Sequence, residues 1–267
     1  MQTVIKVENL SKRYQIDRFY QGKGTLRDVI IDTIKSPFGN KKNKFSEEIW
    51  AIRDVSFEVK KGDTIGIIGG NGVGKSTLLK ILSRIIKPTS GRVIIKGRVG
   101  SLLEIGTGFH PDLTGRENIF LNGAILGMGR KEIEKKFEEI VDFSGIERFL
   151  DTSVKYYSSG MYAKLAFAVA AHLESEILLV DEVLAVGDAP FQAKCLDKMR
   201  NIAESGKTIL LVSHDSEALL KLCKTGLYLN NGETKAIGQI KNVMKQYMAD
   251  YGQITGVNGM EPAIKPL

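Results

Sequence analysis

A chain of 267 residues that is 43% hydrophobic can bury a sizeable core, as one large domain or as a domain with a lobe. It contains no apolar run of the ~18 residues that a membrane-crossing helix needs, and its opening stretch MQTVIKVENLSKRY lacks the apolar segment of a secretory signal. The net charge of +7 admits nucleic acid or an acidic membrane surface as a neighbour, although Lys and Arg are spread along the chain as on a solvated surface, and Cys195 and Cys223 form no metal-spaced pair, which points to a reducing cytosol.

In chain order, VIKVENL (4 to 10) and VSFEV (55 to 59) alternate as half-buried strands do. Between them, TLRDVIIDTI places Leu26, Val29, Ile30 and Ile34 on one helical face, either packed on a core or touching lipid or a membrane subunit. PFGNKKNK (37 to 44) reads as an exposed basic loop, solvated or against lipid headgroups. Lys61, Gly62 and Asp63 signal a turn before TIGII (64 to 68), a buried strand. KSTLLKILSRII (75 to 86) is predicted as a helix with Leu78, Ile81, Leu82, Ile85 and Ile86 on one face, stopped by Pro88 to Gly91. RVIIK (92 to 96) returns as strand, and GTGFHPDLTG (106 to 115) is predicted as loop. Residues 116 to 150 are rich in helix signals, with Ile133, Phe137, Ile140 and Val141 as an apolar stripe. ILLV (177 to 180) and TILLV (208 to 212) are near-continuously apolar, as strands covered on both faces are. Strands alternating with helices imply a parallel sheet and an α/β class.

The chemistry concentrates after the buried strand at 64 to 68. IIGGNGVGKST runs through Gly69, Asn71, Gly72, Val73, Gly74, Lys75, Ser76 and Thr77 and fits the phosphate-loop spacing G-x-x-x-x-G-K-[ST]. Glycines let successive N–H groups turn inward on an anion, and the next helix adds its positive end. Lys75 would reach the β and γ phosphates, and Ser76 would offer a hydroxyl to Mg²⁺. ILLVDE adds two carboxylates at a strand end: Asp181 for the metal and Glu182 as general base toward an attacking water. His214 in LLVSHD ends the following strand in the same manner and could meet the γ-phosphate or the water. Read without this context, the Gly-rich turn, the acidic pair and the His would each pass as ordinary surface features.

On these motifs the chain resembles the ATP-binding subunit of ABC transporters over residues 1 to about 247, with 248 to 267 as a tail. The resemblance implies a P-loop NTPase (RecA-like) core, a peripheral antiparallel β-sheet and a helical subdomain at about 102 to 161, with an insertion at about 15 to 50. It implies that Tyr14 in SKRY stacks on adenine. It also implies that Tyr157-Ser158-Ser159-Gly160-Met161 stands for the signature L-S-G-G-Q, which caps the γ-phosphate bound by a second copy. LAVGD (184 to 188) is similar to the loop that crosses that interface, ending at Asp188. Two departures stand out: Ser159 and Met161 replace the signature Gly and Gln, and Glu104 sits where a metal-sensing Gln belongs, as a metal contact or a simple loop carboxylate.

Among ABC subunits, LLEIGTGFHPDLTGRENI, YSSGMYAKLAFAVA and the long segment between Tyr14 and Ala51 resemble the exporters of lipid-linked polysaccharides, of the O-antigen, teichoic acid or capsule type. The implied partners are a second copy of the chain, two membrane-spanning permease subunits and the polysaccharide they move, with no nucleic acid. The implied cofactors are ATP and Mg²⁺, and the implied place is the cytoplasmic face of the cell membrane. GQIKNVMKQYMADYG is predicted as a closing helix, and the sixteen residues from Gly252 are too few for a carbohydrate-binding sandwich. The alternatives are an ABC ATPase for drugs, lipids or import, a soluble one acting on nucleic acid or ribosomes, and a non-hydrolysing regulatory subunit. The last is disfavoured by Lys75, Asp181, Glu182 and His214.

Overall fold

The computed structural model describes residues 2–18, 45–103, 105–181 and 186–256. The insertion helix and the basic loop expected between residues 26 and 44 lie outside these residues, as do Glu104, Glu182 and the tail beyond 256.

Two sheets share one core. Strands β1 (Thr3–Arg18), β2 (Phe45–Lys60) and β4 (Ser90–Ile95) form an antiparallel sheet in the order β2-β1-β4. Strands β3 (Thr64–Ile68), β5 (Val99–Leu102), β6 (Ile177–Asp181), β7 (Thr208–Val212), β8 (Thr225–Asn230) and β9 (Glu233–Gln239) form the second, in the order β5-β6-β7-β3-β8-β9. This sheet is parallel except for the terminal β8–β9 hairpin. Every residue of β3 and β7 is buried, which is why their sequences carry no polar alternation.

One face of the parallel sheet packs on the antiparallel sheet and on α1 (Lys75–Leu82), through Ile5, Val7, Ile52, Ile67, Leu78 and Leu82. Each buried aliphatic side chain there contributes roughly 1.5–3 kcal/mol. The opposite face is covered by α4 (Ser159–Ala171), α5 (Ala189–Glu204), α6 (Ser216–Leu222) and α7 (Ile240–Gly256), with Phe167, Phe191, Leu219 and Val243 in the seam. A third cluster joins α2 (Gly115–Ile125) and α3 (Arg130–Ser144) to the middle of α4. The stripe Ile133, Phe137, Ile140 and Val141 is buried there, and Leu165, Ala168 and Val169 carry the packing beyond residue 161.

Three boundaries differ from the sequence reading. Helix α1 stops at Leu82 instead of running to Ile86: the Ser83 hydroxyl donates to the Lys80 carbonyl and Arg84 turns left-handed at φ 62°, leaving Ile85 exposed. The loop ends at Thr114 because Thr114 and Glu117 form a capping box, so Gly115 is already helical. Helix α7 continues past residue 247 to Gly256.

Candidate nucleotide site and the half-site at the start of α4

The parallel register brings the strand that feeds the glycine loop, Asp181 and the approach to His214 to one sheet edge. Val212, the last residue of β7, lies opposite both Asp181 of β6 and Ile67 of β3. Strand β7 is thus flanked by the strand that feeds the glycine loop and by the strand that ends in Asp181. His214 follows two residues beyond Val212 and is exposed at this edge. Ligands of open α/β sheets are taken at the carboxyl ends of the strands, where loops rather than side-chain layers close the sheet.

The loop from Gly69 to Lys75 is shaped by its glycines at two points. Gly69 has φ 154° and Gly74 has φ 102°, and a Cβ at either would collide with backbone, the Leu229 carbonyl at the first and the Ala51 carbonyl at the second. Only glycine fits both conformations and both contacts. Gly74 starts α1 with no side-chain cap, so the first amides of the helix stay available to an anion. Lys75 is buried, and its Nζ donates to the carbonyls of Gly69 (2.9 Å) and Gly70 (2.8 Å). Asn71, Gly72 and Ser76 are exposed, and Val73 and Thr77 are half-buried.

The Ser76 hydroxyl and the Asp181 carboxylate offer oxygen donors, the chemistry a hard divalent cation takes. Asp181 Oδ1 is shielded from solvent. Among the described residues no group of three His, Cys, Asp or Glu side chains could hold a metal, so such an ion would complete its shell from water and phosphate. Glu182 and Glu104, the expected base and the expected further metal contact, lie outside the described residues.

The same Ala51 that lies against Gly74 belongs to the β1–β2 ribbon. Along that ribbon Arg13 pairs with Trp50 and Tyr14 with Ile49, so Tyr14 stands just beyond the loop. Its ring is 39% exposed and open to stacking, with Lys12 Nζ 5.0 Å from its centroid.

Ser158, Ser159, Gly160 and Asp188 gather elsewhere. They line an open cleft of about 510 Å³ together with Met161 and Gly187, and no residue of the glycine loop lines it. The Ser158 hydroxyl accepts from the Met161 N–H at 3.1 Å and caps α4. Asp188 caps α5 by accepting from the Phe191 N–H at 3.0 Å, and its second oxygen meets Lys164 Nζ at 2.7 Å. The Lys164 ammonium beside it holds the Asp188 carboxyl below the usual carboxylate range. A single chain therefore carries two separate helix starts, one uncapped after Gly74 and one capped by Ser158. Sequence reasoning missed Lys164, whose signal was one basic residue inside the apolar run MYAKLAFAVAAHL. It also missed Tyr162, whose hydroxyl donates to Gly106 at 2.7 Å, and Asn122, which donates to Thr107 at 2.9 Å. These two bonds tie the loop after β5 to the helical layer.

The family model described as "ABC transporter" matches residues 52–185, more than half of the chain. The chain belongs to the ABC transporter family. Among curated relatives, this ABC chain is 43% identical over 247 residues to an O-antigen export system ATP-binding protein of Klebsiella pneumoniae, covering 92% of this chain and 98% of that one. It is 44% identical over 225 residues to a teichoic acids export ATP-binding protein of Enterococcus faecalis, covering 84% of this chain but 50% of that longer protein. In fold, it is similar to the ATP-binding subunit of an ABC transporter, with TM-score 0.70 and 22% identity over 94% of this chain and 98% of that one. It is likewise similar to an ATP-binding cassette solved as a dimer in a post-hydrolysis state with ADP and Pi. That match has TM-score 0.67 and 24% identity over 88% of this chain and 98% of that one.

Proposed function

We propose that this ABC chain is the ATP-hydrolysing subunit of an exporter that moves a lipid-linked polysaccharide, of the O-antigen or teichoic acid kind, across the cell membrane. The reaction is ATP and water to ADP and phosphate. The observation that carries the reading is the shared sheet edge, where the glycine loop after β3 and Asp181 after β6 flank the end of β7. The export assignment is supported by the names of the relatives in Klebsiella pneumoniae and Enterococcus faecalis.

Each residue has a place in this scheme. Tyr14 stacks on the adenine. The amides from Gly69 to Thr77 cradle the β and γ phosphates, and Lys75 leaves the Gly69 and Gly70 carbonyls to meet them. Ser76 and Asp181 would hold Mg²⁺, and Glu104 would add a further oxygen donor. The ion, when bound, neutralises charge on the phosphate oxygens. Glu182 takes a proton from the attacking water and His214 orients that water at the γ-phosphate. Ser158, Ser159, Gly160 and Asp188 of a second copy close over the same triphosphate, so two chains sandwich two nucleotides. The unit spanning residues 1–247, with its helical subdomain at about 102–161, passes that closure to two permease subunits at the cytoplasmic face of the membrane. Among the described residues no helix is long and apolar enough to cross a membrane, so this scheme attaches the chain through those subunits.

The test is phosphate release from the purified chain with ATP, together with its Glu182→Gln variant. That variant is expected to bind ATP, release no phosphate and accumulate as a dimer in light scattering. Wild-type turnover in Glu182→Gln would remove Glu182 as the base. Failure of the chain to co-purify with a membrane permease would remove the transport reading.

A further inference from the structure

The cleft at the start of α4 contains a cation to which the scheme above gives no role. Among its described lining residues Lys164 is the only cationic side chain. It lies three residues after Met161, on the same face of α4. Its stem lies between Gly187 and Phe191, with Cε 3.3 Å from the position a Gly187 Cβ would take and Nζ 5.4 Å from the Phe191 ring centroid.

The neighbouring donors are depleted. Met161 brings a thioether where the family signature brings an amide, and its own N–H is taken by the Ser158 hydroxyl. The Lys164 ammonium is the charge that remains on this side. Its bond to Asp188 is replaceable: the Asp188 side chain is 59% exposed and keeps its bond from the Phe191 N–H when the lysine leaves. Asp188 is the solvent-exposed end of the pair, the Lys164 side chain being 24% exposed, and a multiply charged phosphate offers the ammonium more negative charge than one carboxylate does.

We propose that Lys164 is a phosphate-binding residue acting in trans: Asp188 holds it in the free protomer, and it transfers to the terminal phosphate of the nucleotide bound by a second copy. The proposal rests on the two-copy reading above. Lys164 and Asp188 thereby report nucleotide charge to the start of α5.

The experiment uses the full chain carrying Glu182→Gln, with dimer fraction followed by light scattering against ATP concentration. Lys164→Met is expected to raise the ATP needed for half-dimerisation about tenfold, as for loss of one charge-assisted bond. Lys164→Arg is expected within about twofold of the parent, since it keeps the charge. Asp188→Asn removes the charge that holds Lys164 at rest while keeping a side-chain oxygen for the Phe191 N–H, and its ATP requirement is expected at or below the parent's, with its gap from Lys164→Met narrowing as salt rises. Equal losses in Lys164→Met and Asp188→Asn would make the pair a mere latch and overturn the proposal, as would parental behaviour in Lys164→Met. Binding of a fluorescent ATP analogue to the separate protomers is expected to stay parental, because the glycine loop is untouched. A parallel drop there would assign the effect to misfolding and also overturn it. If the Glu182→Gln parent stays monomeric with ATP, the two-copy reading itself fails.

Discussion

The starts of α1 and α4 solve one problem in opposite ways. At α1 the amides are exposed to an anion by backbone shape alone: Gly74 has no side chain to cap with, and the Ala51 carbonyl fills the space a Cβ would need. The charge is a buried lysine already bonded to two carbonyls of its own loop. At α4 the start is built from side chains on an open wall, with Ser158 capping and Lys164 paired to Asp188. The first design leaves almost no freedom of sequence, since any Cβ at Gly69 or Gly74 meets backbone. The second tolerates change, and the three departures from the family signature, Tyr157, Ser159 and Met161, fall there. On the proposed reading, the closed half would fix where phosphate sits, and the open half would complete the site only against a second copy.

The largest effect that would break this contrast is expected at Lys75. Lys75→Ala should lower phosphate release at least about a hundredfold, the scale of removing one preorganised charge from a transition state. It should also abolish binding of a fluorescent ATP analogue to the lone protomer. Retained binding would show that the backbone alone makes the site. Ser158→Ala sharpens the other side. Loss of the cap should cost about 1 kcal/mol in thermal or urea unfolding, and phosphate release should fall while lone-protomer binding stays unchanged. Weakened lone-protomer binding would mean that the two helix starts are not separate.

A smaller effect is expected at the far end of α4. His172 closes that helix, buried, with Nδ1 donating to the Ala168 carbonyl (2.7 Å) and Nε2 accepting from Lys198 Nζ of α5 (2.9 Å). Burial pushes its pKa below the ordinary 6.5, aided by the Lys198 and Lys136 ammoniums and opposed by the Ala168 bond and Glu139. The folded chain then binds fewer protons than the unfolded one, so this site's contribution is whole above about pH 6.5 and is lost as pH falls below it. The melting temperature should decline between pH 7 and pH 5.5, and His172→Gln should flatten that decline. An unchanged slope in the variant would place the acid sensitivity elsewhere.

Much of this was readable from residue types. Continuous apolar runs gave β3 and β7 their bounds, and the spacing of glycine, lysine and serine located the closed half-site because that site consists of backbone geometry only glycine permits. The β8–β9 hairpin was equally legible and was overlooked: Asn231 and Gly232, both with positive φ, form the two-residue turn that an Asn-Gly pair encodes. Other features were hidden for physical reasons. Strand β5 has four residues, one of them glycine, and exists because β6 pairs with it. The ribbon extends to Arg18 and Phe45 through charged residues that mask its alternation. The pairing of Lys164 with Asp188 joins residues 24 positions apart, and no local pattern announces it.

The contact between Ala51 and Gly74 has one more outcome. Because the ribbon abuts the glycine loop through main-chain atoms, the distance from the Tyr14 ring to the loop amides is a length set by strand rise rather than by adjustable side chains. If Tyr14 stacks on adenine as proposed, such a ruler would measure a ligand by its reach. Exchanging outward-facing groups on the ribbon leaves the gauge intact, whereas inserting one residue between Tyr14 and the loop contact would mis-set it for every nucleotide at once.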